Sequence, residues 1–321
     1  MLNLISIAMC TYNGERFIEE QIDSILNQSY ANFELIITDD GSSDNTIEII
    51  KKYLEHDKRI KLYQNENNLG FVKNFEKAIS LCSGNYIALA DQDDSWKQNK
   101  LEVFIEKIED NVLIYSDALL IDEYSIETGK ELIRPDKNLV SGSNNRAFLL
   151  ENCVSGNTLM FKRELLEHLI PIPSDISFHD IWITFVASTY GSIIYTDESM
   201  TYYRRYSEQI TKTREKDYEG FFDRFEKKKN IRQDNANVVV KDLENFLSLS
   251  IVTNKETKHI IHMLLEHFRL YGKIYYNFSL YRLLLQHQDD IFAIRKQNKR
   301  KKRAMRTAMG LKLHTSTFFI I

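Results

Sequence analysis

Three carboxylates fall within four positions in Asp91-Gln92-Asp93-Asp94, directly after the apolar run Tyr86–Ala90. At the end of a buried strand such charges repel one another. A cation or a dense hydrogen-bond network is needed to make them tolerable together. Hard divalent ions with oxygen ligands, Mg2+ or Mn2+, suit the set and are commonly shared with a substrate's phosphates. A solvated acidic loop would explain the same residues equally simply. A second pair, Asp39-Asp40, follows Leu35-Ile36-Ile37. A carboxylate there can accept the ring N–H of uracil or thymine. It can also belong to a helix start, although Ser42, Ser43 or Asp44 would cap that helix without Asp40. Tyr12 offers a ring face to a base, and Asn13-Gly14 permits a tight turn beside it. Asn68-Leu69-Gly70 precedes a run carrying Lys73 and Asn74. A helix N-terminus beside a lysine suits a diphosphate, and the bland alternative is a solvated lysine.

Groups so far apart in sequence meet only if the chain forms alternating strands and helices. Leu4–Met9, Phe33–Thr38, Ile60–Tyr63, Tyr86–Ala90 and Val112–Ser116 have the composition of buried strands. Arg16–Asn27, Asp44–Leu54, Phe71–Leu81 and Lys100–Glu109 carry helical spacing. This order predicts an α/β fold, a mostly parallel sheet flanked by helices, with ligands bound beyond the carboxyl ends of the strands. The three polar clusters follow the first, second and fourth strands, so they share one sheet edge. Beyond them, Ile121–Ser143 reads as a loop or hairpin over the site. Arg146–Glu151, Arg163–Leu169 and Asp180–Ser188 read as helices, and Ser192–Thr196 as a short strand. Asp217–Leu249 and Lys255–Gln288 are long amphipathic candidates, which divides the chain into a catalytic domain, 1–215, and a helical C-terminal region with a basic tail, 216–321.

Charge and composition narrow the function. The 321 residues carry 42 Lys+Arg and 46 Asp+Glu, a net charge of −4, which argues against a nucleic-acid partner. From Gln286 onward the balance is about +7, against about −11 before it. The run Arg295–Arg306 followed by Leu311, Leu313 and Phe318-Phe319-Ile320-Ile321 suits peripheral contact with an anionic membrane; a solvated tail is the alternative. Three scattered cysteines without a Cys-x-x-Cys pair suggest neither disulfides nor zinc. With no apolar run long enough to span a bilayer and no signal-peptide pattern, the expected location is cytoplasmic, with peripheral contact at the inner face of the membrane.

Taken together, Met9-Cys10-Thr11-Tyr12-Asn13-Gly14, Thr38-Asp39-Asp40-Gly41-Ser42-Ser43-Asp44, Asn67-Asn68-Leu69-Gly70 and Asp91-Gln92-Asp93-Asp94 resemble the family 2 glycosyltransferases, an inverting group with the GT-A fold. The resemblance runs from Ile5 to about Tyr206. It implies that Asp40 reads a pyrimidine on which Tyr12 stacks, that Asp93 is the principal Mn2+ or Mg2+ ligand, and that Asp91 lies near the ribose or donor sugar. Thr11, Asn13, Glu15, Asn68, Gly70, Lys73 and Gln92 complete the implied donor-binding set. On the acceptor side it places Asp94, Trp96, Gly156, Asn157, His179 and Trp182. Asp180, in His179-Asp180-Ile181-Trp182, matches the catalytic base; as an Asp before Ile181–Ser188 it is also a good helix cap.

Tyr202-Tyr203-Arg204-Arg205-Tyr206 is similar to the Tyr-Arg-x-His segment of rhamnosyltransferase-like members, with Tyr206 where His is common. The Gln-x-x-Arg-Trp motif of processive synthases is absent, which implies transfer of one sugar at a time. The implied reaction moves a sugar, L-rhamnose in the most similar branch, from a dTDP- or UDP-sugar to a glycan or lipid-linked acceptor in capsule, O-antigen or cell-wall synthesis. A sugar-phosphate nucleotidyltransferase is a second enzyme class, but its Gly-rich basic signature is missing after the first strand. A non-catalytic scaffold that binds sugar nucleotides is the third reading.

Overall fold

The computed structural model describes residues 3–206, 221–249, 254–271 and 276–309. Strand β1 (Ile5–Thr11), helix α1 (Ile18–Leu26), β2 (Phe33–Asp39), α2 (Thr46–His56), β3 (Ile60–Gln64), α3 (Phe71–Leu81) and β4 (Tyr86–Asp91) alternate as expected. β1 and β2 are buried at every position, as befits strands covered on both faces. Helix α1 presents Ile18, Ile22 and Ile25 to one core layer; α3 presents Val72, Phe75, Ala78 and Ile79 to the other. β3, β2, β1 and β4 lie side by side, all parallel. Cys10 is opposite Asp91 and Thr11 opposite Asp39, so the three polar clusters do open onto one edge.

The second half of the sheet departs from the parallel pattern. It contains β5 (Ser95–Trp96), α4 (Lys100–Lys107), β6 (Leu113–Ile121), β7 (Glu127–Glu131), β8 (Leu159–Lys162), the short α5 (Leu166–Leu169), α6 (His179–Tyr190) and β9 (Ile193–Arg204). The full order is β3-β2-β1-β4-β8-β6-β9-β5, with β7 paired to β6. β8 runs antiparallel between β4 and β6. Its four residues are too few for a periodicity signal. β9 is 12 residues long rather than the short strand expected, because its first part pairs β6 and its end continues past a register shift to pair β5 as well. Within 121–143 a hairpin does form, through β7. Arg146–Glu151 is not an α-helix: only a 3-10 turn, Asn145–Phe148, forms there.

The C-terminal helices are α7 (Phe221–Ser248), α8 (Lys255–Arg269), α9 (Phe278–Gln286), α10 (Gln288–Ile291) and α11 (Gln297–Ala308). The single long helix expected over 255–288 is interrupted: α8 ends at Arg269, and α9 restarts behind Asn277, whose side chain accepts the Leu280 N–H. Val239, Leu243 and Phe246 of α7 join the same core as Phe185 of α6, with Phe185 and Phe246 stacked at 3.9 Å. The basic stretch is also partly absorbed. Arg295 and Arg303 close on the buried Glu151 at 2.6 and 2.8 Å, Arg300 pairs with Asp289, and Lys299 reaches Asp136. Those cations therefore clamp α11 to the body. Leu311, Leu313 and Phe318–Ile321 lie outside the described residues.

The shared core sets a stability prediction. Phe246→Ala removes a buried aromatic stacked on Phe185 and should cost about 3–5 kcal/mol in chemical denaturation. A loss below about 1 kcal/mol would show that α7 does not support α6.

Candidate active site

The acidic motif is resolved by hydrogen bonds that treat its three carboxylates differently. Asp94 is buried. One of its oxygens accepts the Arg204 backbone N–H at 2.9 Å and the other accepts the Asn157 side-chain amide. Burial, then Asp93 and Asp91, push its carboxyl well above the ordinary range. Asp93 faces a different set: its carbonyl accepts Arg204 Nε at 2.8 Å and its carboxylate accepts the Tyr206 hydroxyl at 2.8 Å. Asp91 is half-buried and pushed up to about 7, first by burial, then by Asp93 and by Asp180, against the pull of Lys100.

Arg204 is the pivot of this arrangement. It is fully buried, an unusual state for a guanidinium unless its donors are matched. They are matched by Asp93 O, Asp122 O, Ser125 Oγ and Glu20 Oε2 at 2.6–3.2 Å, and the group lies 4.5 Å from the Phe17 ring centroid. Phe17 also packs on Tyr206. The end of β9 and the start of α1 are thus tied to the acidic motif from both sides.

At the neighbouring strand ends the structure shows bracing. The Gln92 amide accepts the Tyr12 N–H at 2.8 Å and donates to the Tyr12 carbonyl at 3.0 Å. A Cβ on Gly14 would meet Gln92 Oε1 at 2.2 Å, so a side chain there would displace the Gln92 amide from Tyr12. Tyr12 itself is 50% exposed, an available ring face at the rim. Asn13, in the left-handed region at φ 49°, exchanges bonds with Ser42 and Ser43. Glu15 accepts from Asn45 at the start of α2, and the buried Thr11 donates to Asp39. Asp40 is buried, with its carboxylate held by the Leu69 and Gly70 N–H groups at 2.7 and 2.9 Å and by Asn65. Asn68 donates to the Asp40 carbonyl. Lys73 bonds Glu76 and the Ile172 carbonyl, which ties α3 to the segment before α6.

Asp180 enters from the other half of the chain, in the first turn of α6. Burial pushes its carboxyl up to about 7, opposed by N–H groups of Ile181, Gly156 and its own residue. His179 beside it is stacked on Phe75 at 4.0 Å, and its ring nitrogens have no hydrogen-bond partner among the described residues. Its pKa is pushed down to about 3 by burial, so it is neutral at physiological pH. A Cβ on Gly156 would come within 2.6 Å of His179 Nε2, which is why that turn carries glycine.

All six expected acceptor-side residues, Asp94, Trp96, Gly156, Asn157, His179 and Trp182, are buried. Trp182 is in the core with its indole N–H on the Leu169 carbonyl at 2.9 Å. Trp96 is 4% exposed and covers the Lys100 ammonium at 3.8 Å from its ring centroid. Both are packing residues: indoles bury more area than other side chains, and helix and strand faces here turn them inward. Lys100 and Glu20 belong to the site's support although sequence reasoning passed over them. A signal for Lys100 existed: it lies four residues before Phe104 and beside Leu101, on the buried stripe of α4.

The constellation lies on the carboxyl edge of a parallel half-sheet, where α/β folds bind their ligands. This chain belongs to the Glycosyl transferase family 2, whose profile matches residues 6–170. It is similar to an uncharacterized glycosyltransferase of Haemophilus influenzae, 30% identical over 220 residues, which are 65% of this chain and 67% of the relative. It is also similar to the Escherichia coli UDP-Glc:alpha-D-GlcNAc-diphosphoundecaprenol beta-1,3-glucosyltransferase WfgD, 39% identical over 166 residues, 51% of this chain and 62% of that one. Among solved structures, S. aureus TarS 1-349 in complex with UDP-GlcNAc superposes with a TM-score of 0.59 at 16% identity, covering 97% of this chain and 89% of that one. That likeness concerns the fold, which is GT-A, with a helical C-terminal region in this chain.

The electrostatics yield a direct test. Asp180 contributes to the raised pKa of Asp91. Carboxyl-carbon NMR should show Asp91 titrating near 7 in the wild type and at lower pH in Asp180→Asn, because a like charge is removed. An unchanged Asp91 midpoint would mean the two groups do not share a site.

Proposed function

We propose that this protein is an inverting glycosyltransferase that moves one sugar from a pyrimidine nucleoside diphosphate to a glycan or lipid-linked acceptor in surface polysaccharide synthesis. The observation that carries this is the meeting of Asp180 with the acidic motif, 89 positions from Asp91 in sequence: the Gly156 N–H faces the Asp180 carboxylate while the adjacent Asn157 side chain donates to Asp94. Residues 1–215 would be the catalytic unit and 216–321 its helical brace. The names of two proteins similar to it, WfgD with UDP-Glc and TarS solved with UDP-GlcNAc, support a UDP-sugar first. The resemblance of Asp-Gln-Asp-Asp and His-Asp-x-Trp to the rhamnosyl branch supports dTDP-L-rhamnose as the competing donor.

Residues present fit a divalent metal only in company with the donor. Among the described residues no three His, Cys, Asp or Glu side chains form a ready metal group. Asp94 is already committed to Asn157 and Arg204. Asp93 and Asp91 are left, and Mg2+ or Mn2+ is typically held by one or two carboxylates with the remaining ligands from phosphates and water. When bound, the ion would stabilise the charge of the departing nucleoside diphosphate. Tyr12 is assigned to the face of the base. Asp40 shapes the Asn68-Leu69-Gly70 turn, and a nucleobase N–H would use its remaining acceptor position. Asp180 takes the proton of the acceptor hydroxyl while that oxygen bonds to the sugar's C1 and the C1–O bond to the diphosphate breaks. Attack from the face opposite the leaving group inverts the anomeric centre.

No helix among the described residues is long and apolar enough to cross a membrane. For a lipid-linked acceptor, the exposed Lys296, Lys301 and Lys302 of the basic stretch would meet anionic headgroups.

Asp180→Asn should lower transfer at least a thousandfold while the dissociation constant of the nucleoside diphosphate stays within threefold, as calorimetry would show. Because the base must be ionised and its pKa is raised, wild-type turnover should rise from pH 6 to pH 8 with an apparent pKa near 7. Near-normal transfer by Asp180→Asn would remove it as the base.

A further inference from the structure

Lys100, the first residue of α4, is completely buried, a rare state for an ammonium. Its Nζ donates to the Asn157 carbonyl at 2.6 Å and to Thr201 Oγ1 at 3.0 Å, and the Thr201 hydroxyl donates to the same carbonyl at 3.2 Å. Its remaining side is covered by the Trp96 ring. This small triangle fastens the middle of the 3-10 turn Gly156–Thr158 to β9. The turn is also self-capped: the Thr158 hydroxyl accepts the Ser155 N–H at 3.3 Å and donates to the Ser155 carbonyl at 2.8 Å.

What the turn carries gives the lysine its significance. On one side, the Asn157 amide donates to Asp94, the anchored member of the acidic motif. On the other, the adjacent Gly156 N–H faces the Asp180 carboxylate. The two halves of the site are therefore joined through two consecutive residues, and Lys100 holds the carbonyl of one of them. We infer that Lys100 is a positioning residue that sets the separation of Asp180 from the acidic motif by fixing the Gly156-Asn157 turn. Its full burial keeps it from touching substrate. A methionine would match its length but hold neither carbonyl nor hydroxyl. Burial pushes the Lys100 pKa well down, and the nearby Asp94 and Asp91 oppose that shift. The inference rests on the assignment of Asp180 and the acidic motif as one catalytic site.

Two measurements on the full chain decide it. Nucleotide release from UDP-glucose, UDP-N-acetylglucosamine and dTDP-L-rhamnose identifies a donor that wild type turns over. With it, Lys100→Met should lower kcat at least tenfold and leave the donor KM within threefold. In an Asn157→Ala background the same change should cost less than a further twofold, since both act through one turn. A raised KM with kcat intact, or effects that simply multiply, would overturn the proposal. Crystal structures of wild type and Lys100→Met provide the second readout. The distance between the Asp94 and Asp180 carboxylates should change by about 1 Å or more, a displacement sufficient to impair catalysis. An unchanged distance refutes the positioning role, whether or not a donor is found. Wild type that releases nucleotide from none of the three donors, combined with a shifted distance, would count against the donor assignment and not against Lys100. Should Lys100→Met not fold, Thr201→Val removes one corner of the triangle, two of its three hydrogen bonds, and carries the same expectations in smaller measure.

Discussion

Crowding of negative charge at the end of β4 is the constraint around which this molecule is organised. Three carboxylates in four residues are unfavourable on a buried edge unless each is treated differently. Asp94 is taken inside and matched by an amide and a backbone N–H, Asp93 is gripped through its carbonyl by Arg204 and through its carboxylate by Tyr206, and Asp91 is left with a pKa near 7. The long β9 follows from the same demand. Its far end must reach the motif to deliver Arg204 and Tyr206, and the two-residue strand β5 pairs with it just beyond Asp94. Replacing such a network piecemeal leaves buried charge unmatched, a change commonly worth several kcal/mol.

The loops after β1 and β2 follow a related logic. They are rich in groups that look ready to bind a ligand, yet most of their bonds are to one another. Asp39 takes Thr11 and the N–H groups of Gly41 and Ser42; Asp44 takes Thr46 and the Glu15 N–H; Asp40 takes Leu69 and Gly70. A binding edge made of loops must be rigid before it can discriminate, and side-chain bonds to neighbouring backbone give that rigidity where regular pairing has ended. Tyr12 stays open because Gln92 secures its backbone and leaves its ring free.

Much of this was legible in the sequence, and the limits have physical causes. The first four strands and three helices follow from period and punctuation, and the convergence of the three polar clusters follows from parallel alternation. Asp180 beside the motif was reached only through family resemblance, since no local pattern connects residue 180 to residue 91. The antiparallel β8 and the extension of β9 depend on pairing partners distant in sequence, which a short apolar run does not announce. Trp96 and Trp182 were placed at the acceptor side by the family resemblance; the pleat of β5 and the inner face of α6 turn them into the core. The ion pairs of the basic stretch were hidden for the opposite reason. Composition counts its charges, but Glu151, Asp136 and Asp289, which pair with four of them, come from outside the run or from just before it.

One titration addresses the central claim, that this edge is a working nucleotide-sugar site in which the acidic motif acts with a metal. Isothermal calorimetry of the full chain with UDP and with dTDP, in Mn2+ and then in excess chelator, measures it directly. One-to-one binding of at least one of these diphosphates, weakened tenfold or more by chelator or by Asp93→Asn, is the expected result. No binding of either nucleotide in the presence of Mn2+, or binding indifferent to both chelator and Asp93→Asn, would contradict it.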